Sequence, residues 1–420
     1  MAEESSVLED LVMNCRFCNS KLKYVFADLG KSPIANSYLK QNEINKMEPF
    51  YPLCAYVCSK CFLVQIDEFE KAKNIFKNYI YFSSYSKTWL DHVKKFAVES
   101  IKRFKIKQNT HVVEIASNDG YLLKNFKKYK IPILGIEPAK NIAKIANQNK
   151  IPTIPKFFGV KTAKDLVKNG KKADFLIAFN VLPHVPNLKD FVKGLKILLK
   201  PEGIVVIQFS AYLMSLIKKT AFDNIYHEHF SYFSLYTLNK IFSAYGLKIF
   251  DAKELSIHGG SLRIYATHGN NNKINISKKI KELIIKEKNN GLKKISTYTN
   301  FNEKVKDLKP NIKKFFIDAQ TQGNTTICYG APAKGNTLLN YCEITNDLIE
   351  FTVDISPHKQ GLYLPGTHIP IYSPEYIKKV KPDYIVILPW NLKDEIMEQL
   401  SFIRKWKGKF VIPIPNMRVV

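Results

Sequence analysis

Short apolar runs bounded by turn formers alternate with stretches of helical periodicity through most of this 420-residue chain. The runs His111–Ile115, Ile133–Ile136, Phe175–Phe179 and Gly203–Phe209 predict buried strands, with helices between them. Strands alternating with helices mean a mainly parallel, doubly wound α/β sheet. The pattern then restarts. Thr325–Tyr329 reads as a strand, Gly330–Gly335 as a tight turn and Asn336 onward as a helix start, with further strands predicted at Ile349–Val353 and Tyr384–Leu388. That makes a second, smaller α/β unit. Between the two, residues 271–315 are rich in lysine and carry Ile276, Ile280, Leu283 and Ile284 at helical spacing, which predicts an exposed amphipathic linking helix.

The first 75 residues break this texture. They hold five of the seven cysteines and little helical periodicity, as expected where a metal replaces part of a small core. Three segments result, 1–75, 76–275 and 276–420, in line with roughly 100–200 residues per domain. No short-period repeat is present.

Composition narrows the class. Hydrophobic residues at 45% and charged residues at 24% exclude a mainly disordered or fibrous chain. Lysine plus arginine less the acids is 64 − 37 = +27, which suits an anionic partner: nucleic acid, a membrane surface or a small phosphorylated substrate. The lysines are spread along the whole length, which reads as a solvated surface. No run approaches 18 uninterrupted apolar residues, so a membrane span is not expected. The acidic start, Met-Ala-Glu-Glu-Ser-Ser, lacks the layout of a secretory signal, and a cytoplasmic protein is expected. In a reducing compartment, paired cysteines point to metal before disulfide.

Cys15-Arg-Phe-Cys18 and Cys58-Ser-Lys-Cys61 are two C-x-x-C knuckles separated by 39 residues. Such spacing lets both sulfurs of a knuckle reach one tetrahedral zinc ion at about 2.3 Å, and four thiolates leave no open position for chemistry. The expectation is structural Zn2+. Cys54 reads as a buried thiol that could substitute as a ligand, and Cys328 and Cys342 as core.

In the central unit, the strand ending Glu114-Ile115 is followed by Ala116-Ser117-Asn118-Asp119-Gly120. This turn lacks the G-x-G-x-x-G of dinucleotide enzymes. Glu137 follows at the end of the next strand, where an acid accepts hydrogen bonds from ribose hydroxyls. An acidic turn with an acid after the second strand suits S-adenosyl-L-methionine, which is cationic at its reactive end and carries no phosphate. Glu114, Ser117, Asn118, Gly120 and Glu137 are the cofactor candidates, with Asn180 at the end of a later strand. Asn180 and His184 are expected on one face of a helical turn, pointing into one cleft. The densest chemistry is Phe222-Asp223-Asn224-Ile225-Tyr226-His227-Glu228-His229, which offers a base, an orienting group and a phenol within four residues. The spacing does not match a helical histidine pair for a second metal.

These motifs carry a resemblance. The two knuckles, Tyr79-Ile-Tyr81-Phe-Ser83-Ser84, Glu114–Gly120, Tyr226–His229, His258-Gly-Gly-Ser-Leu-Arg263 and Gly330–Gly335 occur in an order similar to that of the three-domain, zinc-containing sugar C-methyltransferases of deoxysugar pathways. That family methylates carbon 3 of nucleotide-linked 4-keto sugars. The resemblance implies an N-terminal zinc-binding module, a central class I methyltransferase sheet and a C-terminal Rossmann-like domain for the nucleotide sugar. It implies His229 as the base on carbon 3 with Glu228 orienting or sharing that role, and Tyr226 and His184 as donors toward the oxygen on carbon 4. For a nucleotide-diphosphate 4-keto sugar it points to Tyr79, Tyr81 and Ser84, while Lys334 and Asn336, at the glycine turn and helix start, suit a diphosphate through charge and backbone amides, and Arg263 suits a phosphate or a structural partner. Ala116 stands where the family often has glycine. The expected enzyme is monomeric and binds neither nucleic acid nor membrane. An RNA methyltransferase and a non-catalytic nucleotide-sugar module are the alternatives, and a dehydrogenase is disfavoured by the turn.

Overall fold

The computed structural model describes residues 13–75 and 86–420. Tyr79, Tyr81 and Ser84 lie outside the described residues. In chain order the strands begin with β1 (Tyr24–Ser32), β2 (Tyr51–Val57) and β3 (Val64–Ile66). There follow β4 (Val112–Ile115), β5 (Ile133–Ile136), β6 (Thr153–Ile154), β7 (Ala173–Phe179), β8 (Leu199–Phe209), β9 (Ser231–Tyr232), β10 (Leu247–Leu255) and β11 (Ser261–His268). The last are β12 (Thr326–Tyr329), β13 (Thr352–Val353), β14 (Ile371–Tyr372), β15 (Tyr384–Ile387), β16 (Lys409–Ile412) and β17 (Arg418–Val419).

Three sheets form. The first runs β1-β2-β3-β9, the second β10-β11-β8-β7-β4-β5-β6 and the third β14-β13-β12-β15-β16-β17. In the second sheet the ladders from β8 to β6 are parallel, and β10 and β11 add an antiparallel edge. Both faces are covered, as a doubly wound sheet requires. Along β7, Phe175, Ile177 and Phe179 enter one core while Leu176 and Ala178 enter the other. All the strands predicted for this unit are present within a few residues. The third sheet is parallel except for β17, and its strand order, 3-2-1-4-5-6 counted from β12, is that of a Rossmann sheet.

The lysine-rich stretch differs from expectation. It forms two helices, α1 (Lys278–Asn289) and α2 (Ile295–Thr321), and neither is merely an exposed link. On α2, Tyr298, Phe301, Val305, Ile312, Phe316 and Ala319 are buried. Their spacing makes one apolar stripe, which carries β1 on its surface: Phe26 stacks on Phe301 with centroids 4.4 Å apart. The cysteine-rich segment and the third sheet thereby share one core. On α1 the buried Glu287 carboxylate accepts from the Leu235 and Tyr236 amides at 2.6 and 2.8 Å, capping the helix Leu235–Ala244. The lysines read from sequence occupy the outer faces.

The sheet termini meet where chemistry is expected. The turns after β4, β5 and β7 all leave the carboxyl edge of the second sheet, and ligands of such sheets bind there. Strand β9 belongs to the loop that follows β8, yet it pairs with β3 of the cysteine-rich segment, Val64 facing Tyr232 and Gln65 facing Ser231. The Tyr226–His229 run is therefore tethered to the first sheet.

Candidate functional site

The four knuckle cysteines converge, all their sulfurs lying within 4.8 Å of one another. Each knuckle closes the same way. Asn19 and Phe62 adopt φ of 62° and 61°, and their amides donate to the carbonyls of Cys15 and Cys58 at 2.8 and 2.9 Å. Cys15–Cys61 and Cys18–Cys58 sulfur separations of 3.5 and 3.4 Å approach the edges of a tetrahedron around one ion. Gln65 Nε2 donates to Cys15 Sγ at 3.3 Å, as a thiolate ligand is commonly supported. The donor set fits structural zinc. Cys54 is not part of it, and burial pushes its thiol up to about 11.

The turn after β4 is tightly wound. Ala116, Asn118 and Gly120 have φ of 53°, 49° and 83°, and a Cβ on Gly120 would lie 2.8 Å from Ile151 Cγ1. Glu137 holds the turn, its two oxygens accepting from the Asn118 and Ala139 amides at 2.9 Å each. Burial raises the Glu137 carboxyl to about 7. Glu114 is fully buried, and burial, with Asp119 and Glu137 adding repulsion, holds its carboxyl well above the usual range. Neither Glu114 oxygen nor Ser117 Oγ makes a well-formed hydrogen bond, although all are buried. Gly135, on the neighbouring strand, leaves Ser117 its space: a Cβ there would sit 2.4 Å from Ser117 Oγ. Unspent acceptors and acidic charge at this edge fit a cationic cofactor with ribose hydroxyls.

At the end of β7 the expected helical turn is absent at Asn180, which has φ of 52°. Its backbone amide donates to Gln208 O at 2.7 Å and its Oδ1 accepts from the Ser210 amide at 3.1 Å, which ties the ends of β7 and β8 together. His184 follows in the one-turn helix Leu182–His184. The two share an edge of the sheet, not a helix face.

The Tyr226–His229 turn splits its side chains. His227 points into the first sheet, where Nε2 meets Pro52 O at 3.1 Å beside the Tyr51 ring. Glu228 is buried, with Asn36 Nδ2 donating to both of its oxygens at 2.8 Å. Burial raises its carboxyl to about 7 against those donors. His229 Nδ1 lies 2.9 Å from Asn224 O, and since a carbonyl only accepts, Nδ1 carries the proton. Nε2 then accepts from the Tyr226 hydroxyl at 2.8 Å. The two rings are 4.0 Å apart, and His184 meets His229 edge-on at 4.7 Å. Burial pushes His229 well below its ordinary value and His184 down to about 4, so both are neutral at pH 7. The N–H of His184 faces the Glu228 backbone carbonyl. The structure thus brings the His184, Tyr226 and His229 rings together, while Asn36 holds the Glu228 carboxylate.

The remaining candidates fare differently. Lys334 lies over the Trp390 ring at 4.5 Å with its ammonium on Asn391, and burial lowers it to about 8. Asn336 is buried and gives Nδ2 to Ala35 O at 2.6 Å, joining the third sheet's first helix to the cysteine-rich segment. Of the two roles expected for Arg263, phosphate or structural partner, its contacts are structural. It is buried on β11, donating to Gln208 Oε1 at 2.7 and 3.0 Å and stacked over Phe96 at 4.5 Å. Its donors are spent inside the sheet.

Several residues of the site are not visible as motifs. Asn36 holds Glu228, Asn224 fixes the His229 tautomer through its carbonyl, and Gln65 joins a cysteine to β9. Trp390 Nε1 donates to the buried Asp223 at 2.6 Å, tying the Phe222–His229 loop to the third sheet. Asp223 and Asn224 lie within the Phe222–His229 run singled out from the sequence, which gave neither a role of its own.

Comparison with known proteins agrees with this layout. Family models match residues 15–76 as a zinc binding domain, 86–252 as a methyltransferase domain and 256–415 as a C-methyltransferase C-terminal domain. The C-methyltransferase NovU of Streptomyces niveus is 30% identical over 416 residues, 98% of this chain and 99% of that protein. Among solved structures, magnesium protoporphyrin IX methyltransferase from Synechocystis is 14% identical, covering 48% of this chain and 100% of its own, with a TM-score of 0.36. An S-adenosylmethionine-dependent methyltransferase from Clostridium acetobutylicum is 11% identical over 43% of this chain and 92% of its own, with a TM-score of 0.34. No helix among the described residues is long and apolar enough to cross a membrane. With a four-cysteine zinc site, a methyltransferase sheet and a relative aligned end to end, the chain belongs to the S-adenosylmethionine-dependent C-methyltransferase family.

Proposed function

We propose that the acceptor is a nucleotide-linked 4-keto sugar, methylated at carbon 3 through an enolate, with His229 as the base. The observation that carries this reading is the Asn224–His229–Tyr226 chain, which leaves one basic nitrogen and one phenol proton side by side. Its motif order, similar to that of the sugar C-methyltransferases, supports the acceptor class.

Glu114, Ser117, Asn118, Gly120, Glu137 and Asn180 would hold S-adenosylmethionine, which would supply a methyl group on cationic sulfur to a carbon nucleophile and leave as the neutral thioether. The protein's task is to make that nucleophile. A hydrogen beside a ketone leaves as a proton once the developing oxyanion is stabilised. The Tyr226 hydroxyl has a single proton, shared by His229 in the ligand-free arrangement. When that proton turns to the carbon 4 oxygen, the Nε2 lone pair is freed to take the carbon 3 proton. The two events are coupled by one hydrogen bond.

A buried, weakly basic imidazole suits this. It is fully neutral at pH 7, and the adjacent enolate raises its proton affinity as charge develops. His184 has no second N–H to give at neutral pH. Its role is to fix the Glu228 backbone and wall the base, and Tyr226 is the oxyanion donor. Glu228 orients the sugar and shares in carrying the proton. Lys334, beside Trp390, faces the nucleotide end.

The test is to supply methyl-labelled S-adenosylmethionine with a panel of nucleotide-linked 4-keto sugars. Label on carbon 3 of a sugar, lost in His229→Asn, is the expected result. Label entering RNA instead, with steep salt dependence, or label on oxygen, overturns the reading.

A further inference from the structure

We propose that Asn36 is a positioning residue of the reaction centre, orienting and stabilising the charged Glu228 carboxylate from the zinc-bearing segment. This rests on the reading of Glu228 above and deepens it.

A buried carboxylate needs either a cation or several hydrogen-bond donors to remain charged. Glu228 is 1% exposed, and no lysine or arginine among the described residues forms an ion pair with it. Its donors come from Asn36, whose Nδ2 lies 2.8 Å from each oxygen and whose backbone amide also favours the charge. The charge of a catalytic acid therefore hangs on a neutral side chain 192 residues away in sequence.

The amide is itself oriented. A carboxylate only accepts, so Nδ2 must face Glu228, which leaves Oδ1 3.3 Å from the Tyr38 hydroxyl oxygen. The single Tyr38 hydroxyl proton goes to Ala331 O at 2.5 Å, and Ala35 O accepts from Asn336 Nδ2 at 2.6 Å. Residues 35–38 are thus clamped between Glu228 and the Gly330–Gly335 turn. The loop joins all three segments at one carboxylate.

The ionisable groups facing Glu228 are few. Tyr38 comes from the same loop, with Lys359 over its ring at 5.4 Å and Asp354 beside that lysine at 3.5 Å. His184 faces the Glu228 backbone, and His227 and His229 are its chain neighbours, all three held neutral by burial. None supplies a charge that would take over from Asn36.

The experiment follows the Glu228 carboxyl stretch by infrared difference spectroscopy, identified as the band missing in Glu228→Gln, over a pH titration of the ligand-free protein. Replacing Asn36 by Leu removes the side-chain donors at similar volume, and the midpoint is expected to rise by at least about one pH unit, a tenfold lower proton concentration. Asn36→Ser, which keeps one donor, should fall between, and carries the test should the leucine variant not fold. The acidic limb of kcat/KM for methyl transfer should move by the same amount, with activity recovered at higher pH. A folded Asn36 variant with the wild-type midpoint overturns the proposal, because a merely structural asparagine would leave that titration alone. Full activity in Glu228→Gln would instead sink the role of Glu228 while leaving the infrared shift to stand by itself.

Discussion

Removing the zinc should loosen the loop that carries Tyr226–His229, through the sheet that joins them. Cys15 accepts from Gln65, whose Oε1 takes the Arg16 amide at 2.9 Å, and Gln65 sits opposite Ser231 in the β3–β9 ladder. A structural zinc site is worth about 10–16 kcal/mol in isolated fingers, so its loss melts the small sheet it replaces as core. The loop then loses Ile66 N to Phe230 O at 3.3 Å, His227 to Pro52 O at 3.1 Å, and Arg16 over the Phe230 ring at 5.6 Å. At about 1 kcal/mol per hydrogen bond and about 0.5–1 for the cation–π contact, the total is roughly 3 kcal/mol. At 1.4 kcal/mol per decade that is roughly a hundredfold rise in loop opening. Hydrogen exchange by mass spectrometry over residues 224–232, with and without chelator, reads it. Amides of β4 and β7 serve as the internal reference and should change little. Unchanged protection of 224–232 in protein shown to be zinc-free would refute the coupling.

Three further outcomes follow from the packing and charge. Phe26→Ala empties a fully buried ring from between Phe301 and Tyr298 and should cost about 3–5 kcal/mol in urea denaturation, largely recovered by Phe26→Leu. Glu228 titrates near 7 when folded against 4.5 as the ordinary value, so the wild-type carboxyl contributes stability below pH 4.5 that is lost as pH rises through 7. Glu228→Gln should therefore be more stable than wild type at pH 8, by about 3 kcal/mol at most, with no difference at pH 4.5; equal urea midpoints at pH 8 would contradict this. Gly259 has φ of 81°, and a Cβ there would lie 2.7 Å from Trp390 Cη2. Gly259→Ala should displace that indole from Asp223, read as a tryptophan emission change absent in a Trp390→Phe background, with several-fold weaker acceptor binding.

Much of this architecture is written in local pattern. The strands of both α/β units are short apolar runs, and their period alone placed Glu114, Glu137 and His184 at one sheet edge. The four cysteines announce their site because ligand spacing is a covalent constraint. What stayed hidden depends on distant pairing. Strand β9 is two residues long, and nothing in Ser231-Tyr232 says that its partner is Val64-Gln65. Asn36 looks like any polar residue in a turn until Glu228 is set against it. Arg263 reads as either a phosphate or a structural partner, and only the long-range pairing with Gln208 and two phenylalanines shows it absorbed within the sheet. The lysines of α2 masked its buried stripe, since charge on one face of a helix says little about the other. Asn180 misled for a local reason: the residue leaving β7 takes a left-handed conformation, which helical spacing does not foresee.

In the proposed mechanism His229, in partnership with Tyr226, removes a proton from carbon. Isotope exchange isolates that step from methyl transfer. With the demethylated cofactor product in the donor site and a 4-keto sugar nucleotide in deuterium oxide, wild-type protein should exchange the carbon 3 hydrogen. In His229→Asn the exchange should slow by about 10²–10⁴-fold, with Tyr226→Phe slowed less. Exchange at the wild-type rate in a folded, sugar-binding His229→Asn protein would contradict the account.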